Sequence, residues 1–292
     1  MTGDETPASA GTLYVVSTPI GNMGDFSFRA VEVLKSVSGI LAEDTRHTRH
    51  LLDRYEIKTA TTSYHEHNEA KMTPVLVARL RGGESLALVS DAGTPLISDP
   101  GARLIAAAIE AEVSVVPVPG ASAMLAALVA SGLDAERFTF FGFLTRTGSE
   151  RRGALDEITT LRHTAVLYEA PNRVADTLRD LEERGGGGRA AVVAREMTKQ
   201  FEELRRGTVS ELRAYYEEKP PRGEIVLVIG AAVQVAATDE AVRDRVRALR
   251  ASGMSARDAS AAVAEELGVP KRLAYRYAQE TGGDQEGGGS GE

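Results

Sequence analysis

Twelve residues indicate the fold of this chain: Ser90-Asp91-Ala92-Gly93-Thr94-Pro95-Leu96-Ile97-Ser98-Asp99-Pro100-Gly101. An apolar run at residues 86–89 precedes them and is typical of a buried strand, and residues 102–109 follow with the apolar spacing of a helix. Two aspartates, two glycines and two prolines in twelve positions are more than a packing turn requires. Because ligands bind at the carboxyl ends of the strands in an α/β sheet, the segment predicts an α/β protein with a ligand site at this loop.

The composition is typical of a soluble globular protein. The 292 residues are 42% hydrophobic and 26% charged, with enough length for two domains. No apolar stretch approaches the length that spans a bilayer, and the polar start predicts no signal peptide. We therefore expect a cytoplasmic protein without membrane contact.

Cysteine and histidine usage limits the possible chemistry. The chain has no cysteine, which excludes disulfides, thiolate nucleophiles and Cys-based zinc sites. The five histidines lack a metal-binding spacing such as H-E-x-x-H, so we expect no metal. A net charge of −8 argues against a protein that coats nucleic acid, but not against one that meets it through a local patch.

Strand and helix patterns alternate along the first half of the chain. Predicted strands lie at residues 13–16, 40–42, 86–89 and 113–118, and predicted helices at 26–37, 45–55, 68–81, 102–109 and 122–130. Repeated βα units at this spacing predict a mainly parallel sheet covered on both faces. Helical periodicity stops at Ser131-Gly132-Leu133-Asp134, so an N-terminal α/β domain is expected over residues 11–132.

The second half predicts another α/β domain, over residues 133–232. Its predicted strands lie at residues 138–143, 165–168, 190–194 and 225–229, with helices at 173–183 and 210–216. Residues 1–10 and 281–292 lack apolar periodicity and are expected to be disordered tails.

Residues 238–280 predict a small helical module. Ser255 and Asp258 can cap its middle helix, Gly268 can end that helix, and Pro270 can open the next one. Three short helices around a glycine-containing turn suggest a helix-turn-helix. Eight Lys/Arg against five Asp/Glu over residues 241–280 give this region a net charge of +3.

Two further loops follow predicted strands, Ser17-Thr18-Pro19-Ile20-Gly21-Asn22-Met23-Gly24-Asp25 and Val118-Pro119-Gly120-Ala121-Ser122-Ala123. Glycines in the first allow close approach to a ligand, although their spacing is not that of a dinucleotide site. A plain turn with Asp25 as helix cap is the alternative. In the second, free N–H groups at the start of the helix suit an anion such as a carboxylate, and Ser122 can also be the cap. Asp99 before Pro100 is interpreted as a helix cap and therefore as structural.

These loops resemble segments of a known family. Together with Tyr168-Glu169-Ala170-Pro171-Asn172-Arg173, Arg195-Glu196-Met197-Thr198-Lys199 and Arg222-Gly223-Glu224-Ile225, they resemble the ribosomal-RNA branch of the tetrapyrrole methylase superfamily, from about Gly11 to Gly230. The resemblance implies a two-domain tetrapyrrole-methylase-like α/β fold, here with a small C-terminal helix-turn-helix-like module. It also implies S-adenosylmethionine as cofactor, folded in the cleft between the two α/β domains.

The resemblance further implies a substrate and an assembly. The implied substrate is 16S rRNA of the small ribosomal subunit, methylated on the 2′-hydroxyl of a decoding-centre cytidine, and the implied assembly is a homodimer. The implied cofactor-binding residues lie in the quoted loops and after the first strand of the second domain: Pro19, Ile20, Gly21, Asp91, Ala92, Gly93, Thr94, Ile97, Ser122, Ala123, Leu144, Tyr168, Glu169 and Gly223. For Glu169 and Glu196, a buried Glu–Arg pair that holds the domain together is the alternative.

The densest polar cluster is Glu43-Asp44-Thr45-Arg46-His47-Thr48-Arg49-His50. Asp44 suits a helix cap, but an acid pair beside Arg and His also suits a site that holds an RNA sugar. Because a ribose hydroxyl is a poor acid, a base would help its attack, and the candidates are Asp44, Glu43 and Asp25. His65 and His67 are expected to be exposed loop residues. Candidate RNA contacts are Arg46, Arg49, Lys271, Arg272 and Arg276.

Two other functions fit parts of the pattern. A methyltransferase acting on a corrin or porphyrin precursor would use the same cleft but gives the basic C-terminal helices no role. A nucleic-acid-binding regulator would contact DNA through residues 271–276, and would leave some 220 residues of ligand-binding fold as a sensor.

Overall fold

The computed structural model describes residues 10–232 and 238–280. These residues form two compact units, one within residues 10–232 and the other within 238–280. The predicted tails lie outside the described residues, apart from Ala10. No helix in either described range is long and apolar enough to cross a membrane.

The first half forms a five-stranded sheet of parallel strands in the order β3-β2-β4-β1-β5. Its strands are β1 (Thr12–Val16), β2 (Gly39–Ala42), β3 (Thr61–Ser63), β4 (Leu86–Val89) and β5 (Ser114–Val118). Its helices are α1 (Phe28–Ser36), α2 (Thr45–Arg54), α3 (Glu69–Arg81), α4 (Ala102–Glu110) and α5 (Ala123–Ser131). Because parallel strands share one direction, the loops that follow β1, β2, β4 and β5 meet at a single edge.

Helices cover both faces of this sheet, as predicted. Leu34 of α1 and Leu52 of α2 pack with Ile40 on one face. Leu76 of α3 and Leu104 of α4 pack in a separate core on the other face. Every residue of β2 and β4 is buried, which explains why these strands are continuous apolar runs.

The second half forms a mixed five-stranded sheet in the order β6-β7-β10-β8-β9. Its strands are β6 (Phe138–Phe143), β7 (Thr164–Glu169), β8 (Ala190–Arg195), β9 (Glu203–Thr208) and β10 (Ile225–Ile229). Only β6 and β7 are parallel, and the other neighbours are antiparallel. Helices α6 (Gly148–Thr160), α7 (Val174–Leu181) and α8 (Val209–Glu218) contribute to the core on one face.

The other face of the second sheet packs on α5. Ala127 and Leu128 share a core with Val166, Val192 and Val228 of the second sheet. The two sheets therefore belong to one compact unit, and the loops of the first sheet face those of the second.

Two predicted helix caps are wrong. Ser27, not Asp25, caps α1, since its side chain accepts a hydrogen bond from the Ala30 N–H. Helix α4 begins at Ala102 with Gly101 at the cap position and no side-chain cap. Asp99 is therefore free of the structural role that its sequence position suggests.

The C-terminal unit consists of α9 (Asp239–Ala251), α10 (Ala256–Leu267) and α11 (Lys271–Glu280). Ser255 caps α10 by accepting from the Asp258 N–H, and Gly268 ends the helix in a left-handed conformation, as predicted. Val242, Val246, Val263 and Tyr277 form a core of its own.

Candidate active site

A cavity of about 450 Å³, here called the large cavity, lies where the loops of the two sheets face each other. Its volume is typical of a small-molecule site. Eleven of the fourteen predicted cofactor residues line it: Ile20, Asp91, Ala92, Gly93, Thr94, Ile97, Ser122, Ala123, Tyr168, Glu169 and Gly223. The structure thus brings together residues up to about two hundred positions apart in the chain.

The strand-end loops are fixed to one another by hydrogen bonds. The Thr18 N–H donates to the Gly93 carbonyl at 2.8 Å, and the Gly93 N–H donates to the Thr18 carbonyl at 3.1 Å. The Thr94 hydroxyl donates to the Ala121 carbonyl at 3.1 Å. Leu96 and Ser98 have positive φ values of 73° and 68°, a strain that clusters at functional sites. The wall of the large cavity is therefore preorganised.

Tyr168 and Glu169 form the opposite wall. The Tyr168 ring contacts Phe140 and Phe143, with centroids 5.0 and 5.3 Å away, and burial raises the pKa of its hydroxyl. The Glu169 carboxylate accepts from the Thr177 hydroxyl at 2.6 Å and pairs with Arg173 at 3.3 Å. Glu169 therefore belongs to a buried Glu–Arg pair and also lines the cavity.

Five carboxylates line the large cavity, those of Glu43, Asp91, Asp99, Glu169 and Glu224. The first three lie close enough to interact electrostatically. Burial, and then the charges of Glu43 and Asp91, raise the pKa of Asp99 to about 6. Burial and the charge of Asp91 also raise the pKa of Glu43. Like charges held together bind a proton more tightly, so this group can accept one proton near neutral pH. The structural interpretation of Asp99 from sequence is thereby corrected.

Asp44 and Asp25 line neither the large cavity nor the smaller space that adjoins it. The Asp44 carboxylate accepts from the Arg46 N–H at 2.8 Å and pairs with the Arg46 guanidinium at 3.1 Å. These hydrogen bonds hold the pKa of Asp44 at about 2. Its main-chain N–H donates to Asp91 Oδ1 at 3.0 Å, so Asp44 fixes a cavity carboxylate through its backbone. Asp25 ends an exposed turn, Met23–Asp25.

A second space of about 220 Å³, here called the small cavity, adjoins the first. The two share Ile20, Asp91, Ala92 and Glu224 as lining residues. The predicted cofactor residues Pro19 and Gly21 line this space, together with His47, Thr48, His50 and Lys199. Leu144 is buried and lines neither cavity, and its carbonyl accepts from Arg173 at 3.1 Å.

Lys199 connects the first loop to the second half of the chain. Its ammonium group pairs with Glu196 at 3.0 Å and with Glu224 at 3.1 Å. A Cβ on Gly21 would lie 2.3 Å from the Lys199 Cγ, so only glycine allows this packing. Glu196 therefore pairs with a lysine rather than with the expected arginine. The quoted Arg195–Lys199 motif contains Lys199, but nothing in its spacing points to Gly21.

The predicted RNA contacts lie on exposed surfaces of both units. Arg46 is 91% exposed beside Asp44, and Arg49 is exposed on α2. On α11, Lys271 and Arg272 are exposed, and the Arg276 guanidinium lies over the Tyr277 ring at 4.9 Å. In the described ranges, no group of three or more His, Asp or Glu side chains could hold a metal ion.

Residues 12–213 match the family described as Tetrapyrrole (Corrin/Porphyrin) Methylases. The chain belongs to this family. The resemblance predicted from the strand-end motifs is thereby confirmed, and this tetrapyrrole methylase is a methyltransferase.

Two curated relatives are similar to this tetrapyrrole methylase over almost their whole length. Both are called ribosomal RNA small subunit methyltransferase I. The protein from Synechocystis sp. is 46% identical over 277 residues, covering 94% of this chain and 99% of that protein. The protein from Mesorhizobium japonicum is 45% identical over 280 residues, covering 94% and 95%.

A solved structure supports the same fold for the tetrapyrrole methylase. It is the uroporphyrin-III C-methyltransferase from Thermus thermophilus, in complex with S-adenosylhomocysteine. It superimposes with a TM-score of 0.54 and 17% identity, covering 75% of this chain and 97% of that one. At that identity the likeness concerns the fold alone.

Proposed function

We propose that this tetrapyrrole methylase transfers a methyl group from S-adenosylmethionine to the 2′-hydroxyl of a decoding-centre cytidine in 16S rRNA. The observation that carries the proposal is a preorganised cavity at the strand ends whose wall includes the carboxylates of Glu43, Asp91 and Asp99. The relatives named ribosomal RNA small subunit methyltransferase I support the RNA substrate. The ribose hydroxyl as target rests on the resemblance of the motifs.

The lining of the large cavity fits the proposed cofactor. Ala92, Gly93 and Ala123 are small and allow a ligand to come close to the main chain. The N-terminus of α5, where Ser122 makes no side-chain cap, suits the carboxylate of the cofactor. The Tyr168 ring offers an apolar surface to the adenine of the cofactor. The cavity carboxylates suit the cationic sulfonium and ammonium groups of the cofactor.

The proposed reaction requires orientation and removal of one proton. When bound, S-adenosylmethionine supplies an activated methyl group on a sulfonium and a neutral leaving group. The chain must hold the ribose hydroxyl in line, exclude water and accept the hydroxyl proton. We assign proton acceptance to a carboxylate oxygen within the group of Glu43, Asp91 and Asp99, because all three line the cavity and burial and the charges within this group raise the pKa of Glu43 and of Asp99.

The other candidate residues take supporting roles in this proposal. Asp44 positions Asp91 through its main-chain N–H, and Asp25 has no contact that would involve it in proton transfer. Arg46 and Arg49 contact phosphates beside the site, and Lys271, Arg272 and Arg276 contact RNA through the C-terminal unit. The proposed substrate implies a cytoplasmic enzyme, and sedimentation velocity tests the homodimer that the family resemblance implies.

A methylation assay tests the proposed function. The enzyme is incubated with labelled S-adenosylmethionine and small ribosomal subunits that lack the modification, and nuclease fragments are then weighed. We expect one methyl group on one decoding-centre cytidine ribose. Methylation of a base, or transfer only to a corrin or porphyrin precursor, would contradict the proposal. Free 16S rRNA as a parallel substrate identifies which form of the RNA is used.

A further inference from the structure

We propose that the small cavity receives the target nucleotide, turned out of the RNA strand, with the Thr48 hydroxyl as one of its hydrogen-bond partners. This inference rests on the proposed function and adds to it the location of the substrate. It assigns roles to Thr48, His47 and His50, which belong to the polar cluster at residues 43–50 but are not among the candidate site residues named from the sequence.

The small cavity lies directly beside the large cavity. It shares Ile20, Asp91, Ala92 and Glu224 with the large cavity, so a group bound in one lies against a group bound in the other. Asp91 is held at this shared wall by the Asp44 N–H at 3.0 Å. A ribose in the small cavity would therefore lie beside the carboxylate group proposed to accept its proton.

The lining of the small cavity contains a buried hydroxyl group without a hydrogen-bond partner. Thr48 is 3% exposed, and its Oγ1 has no hydrogen-bond partner although it is buried. Buried hydroxyl groups are normally hydrogen-bonded, because leaving one unsatisfied costs about 1–3 kcal/mol. Since Thr48 lines the cavity, a ligand there would satisfy this group.

The size and chemistry of the small cavity select the ligand. About 220 Å³ holds one nucleoside and is below the usual range of about 300–1,000 Å³ for whole cofactor sites. His47 and His50 lie three residues apart, and so on one face of α2, and their rings can stack on a base and hydrogen-bond to its edge. Proteins that read single-stranded RNA hold unstacked bases in this way, and enzymes that act on a base turn its nucleotide out of the strand.

The test separates binding of the RNA from binding of the cofactor. Thr48→Val removes the hydroxyl without a change of shape, and Thr160→Val is the matched control on an exposed position of helix α6. For full-length enzyme with small subunits, we expect Thr48→Val to raise KM for the subunit roughly fivefold, the effect of losing one hydrogen bond. The Kd for S-adenosylmethionine, measured by calorimetry, should stay unchanged. His47→Ala/His50→Ala, which alters only exposed side chains, should raise the same KM further.

Each outcome decides the inference. An unchanged subunit KM in both variants would overturn it, and a weaker Kd for S-adenosylmethionine would assign the small cavity to the cofactor instead. Thermal unfolding shows that Thr48→Val folds, since loss of an unsatisfied buried hydroxyl does not destabilise the chain. If the wild type transfers no methyl group to subunits, the proposed function fails. If the wild type is active and the variants equal it, only this inference fails.

Discussion

At the scale of the residue, the raised pKa of Asp99 suits the proposed proton acceptance but lowers the stability of the fold at neutral pH. Its pKa is about 6 in the fold against an ordinary value of 3.8, so the fold favours the protonated form. This favourable contribution to stability is complete below pH 4 and disappears as the pH rises through 6. Ionised Asp99 therefore opposes folding at neutral pH.

We predict that Asp99→Asn stabilises the protein at pH 8 and lowers its activity. Asparagine resembles the protonated acid, so the gain in the free energy of unfolding should be about 1 kcal/mol at pH 8, after allowance for solvent screening. It should vanish at pH 4. Urea unfolding at both pH values measures the difference. A gain of equal size at pH 4 would contradict the assigned titration.

Glu43 and Asp44 are adjacent acids for which we predict different effects. Glu43→Gln should lower kcat roughly 10²-fold or more, the usual contribution of a general base, with a much smaller change in the Kd for S-adenosylmethionine. Asp44→Ala keeps the N–H that holds Asp91, so the loss of kcat should be smaller. Steady-state kinetics on small subunits compare the two. A larger effect of Asp44→Ala would return proton acceptance to Asp44.

Gly223 in the wall of the large cavity has a matched control in Gly185. Both have positive φ values, 87° and 84°. A Cβ on Gly223 would lie 2.4 Å from Glu196 Cδ, whereas nothing lies within 4 Å of one on Gly185. We predict that Gly223→Ala displaces Glu196 and weakens S-adenosylmethionine binding, while Gly185→Ala costs only backbone strain. Calorimetric Kd values that match in the two variants would refute this.

At the scale of the element, apolar patterns predicted eight of the ten strands in the described residues and missed two edge strands, β3 and β9. Strands β1, β4 and β10 are apolar runs and appear where the sequence predicts them. Strand β3 is Thr61-Thr62-Ser63, and β9 carries Glu203, Arg205 and Arg206. Both pair on one side only, where polar side chains remain in contact with water. Their position in the sheet, which sequence does not give, is what makes them strands.

The same reason explains which site residues sequence could identify. Strand-end loops with glycines and small side chains identified most of the large cavity wall. Asp99 was misassigned because Asp-Pro before a helix matches a cap, and only the actual start of α4 at Ala102 excludes that role. Thr48 and His50 lie within a helix, where their approach to the loop of Asp91 depends on tertiary packing.

The Arg189 side chain connects the start of strand β8 to the end of strand β10 and to helix α6. It is 3% exposed, precedes β8, and donates through Nε to the Gly230 carbonyl after β10 at 2.8 Å. It also donates to the Ile158 carbonyl of α6. Burial lowers its pKa to about 10.

We predict that Arg189→Met lowers the free energy of unfolding by roughly 2–3 kcal/mol, because the Gly230 carbonyl loses its side-chain donor and the Ile158 carbonyl keeps the Leu161 N–H but loses the guanidinium. Arg184→Met is the control. Arg184 pairs with Asp156, which is 67% exposed, and such a pair contributes less than about 1 kcal/mol. Urea unfolding compares the two variants. An effect of Arg189→Met no larger than that of the control would show that water replaces the guanidinium.

At the scale of the whole molecule, the two compact units suggest separate roles, with the cavities in the first unit and additional RNA contacts in the second. Every described residue that lines either cavity belongs to the first unit, and the second unit has its own core. A chain that is acidic overall needs a local basic surface to meet RNA. Lys271, Arg272 and Arg276, which are exposed on α11, offer one.

We predict that a chain ending at Ala232 keeps its affinity for S-adenosylmethionine and binds small subunits more weakly. The logarithm of its affinity for subunits should also depend less steeply on salt, because phosphate contacts are lost. Calorimetry and co-sedimentation measure the two affinities. The full chain with Lys271→Ala, Arg272→Ala and Arg276→Ala controls for misfolding of the truncated form. Subunit affinity that is equal in all three proteins would exclude the C-terminal unit from RNA binding.

The wall shared by the two cavities also matters for inhibitor design. Ile20, Asp91, Ala92 and Glu224 border both spaces, so a short tether could connect an adenosine analogue in one to a nucleoside in the other. Tethering makes the second binding event intramolecular and can raise affinity by roughly 10²–10⁴ over either half. Such a compound would be selective as well, since it requires both spaces at this separation. A fold shared with corrin and porphyrin methylases thus offers a bivalent target that the cofactor site alone does not.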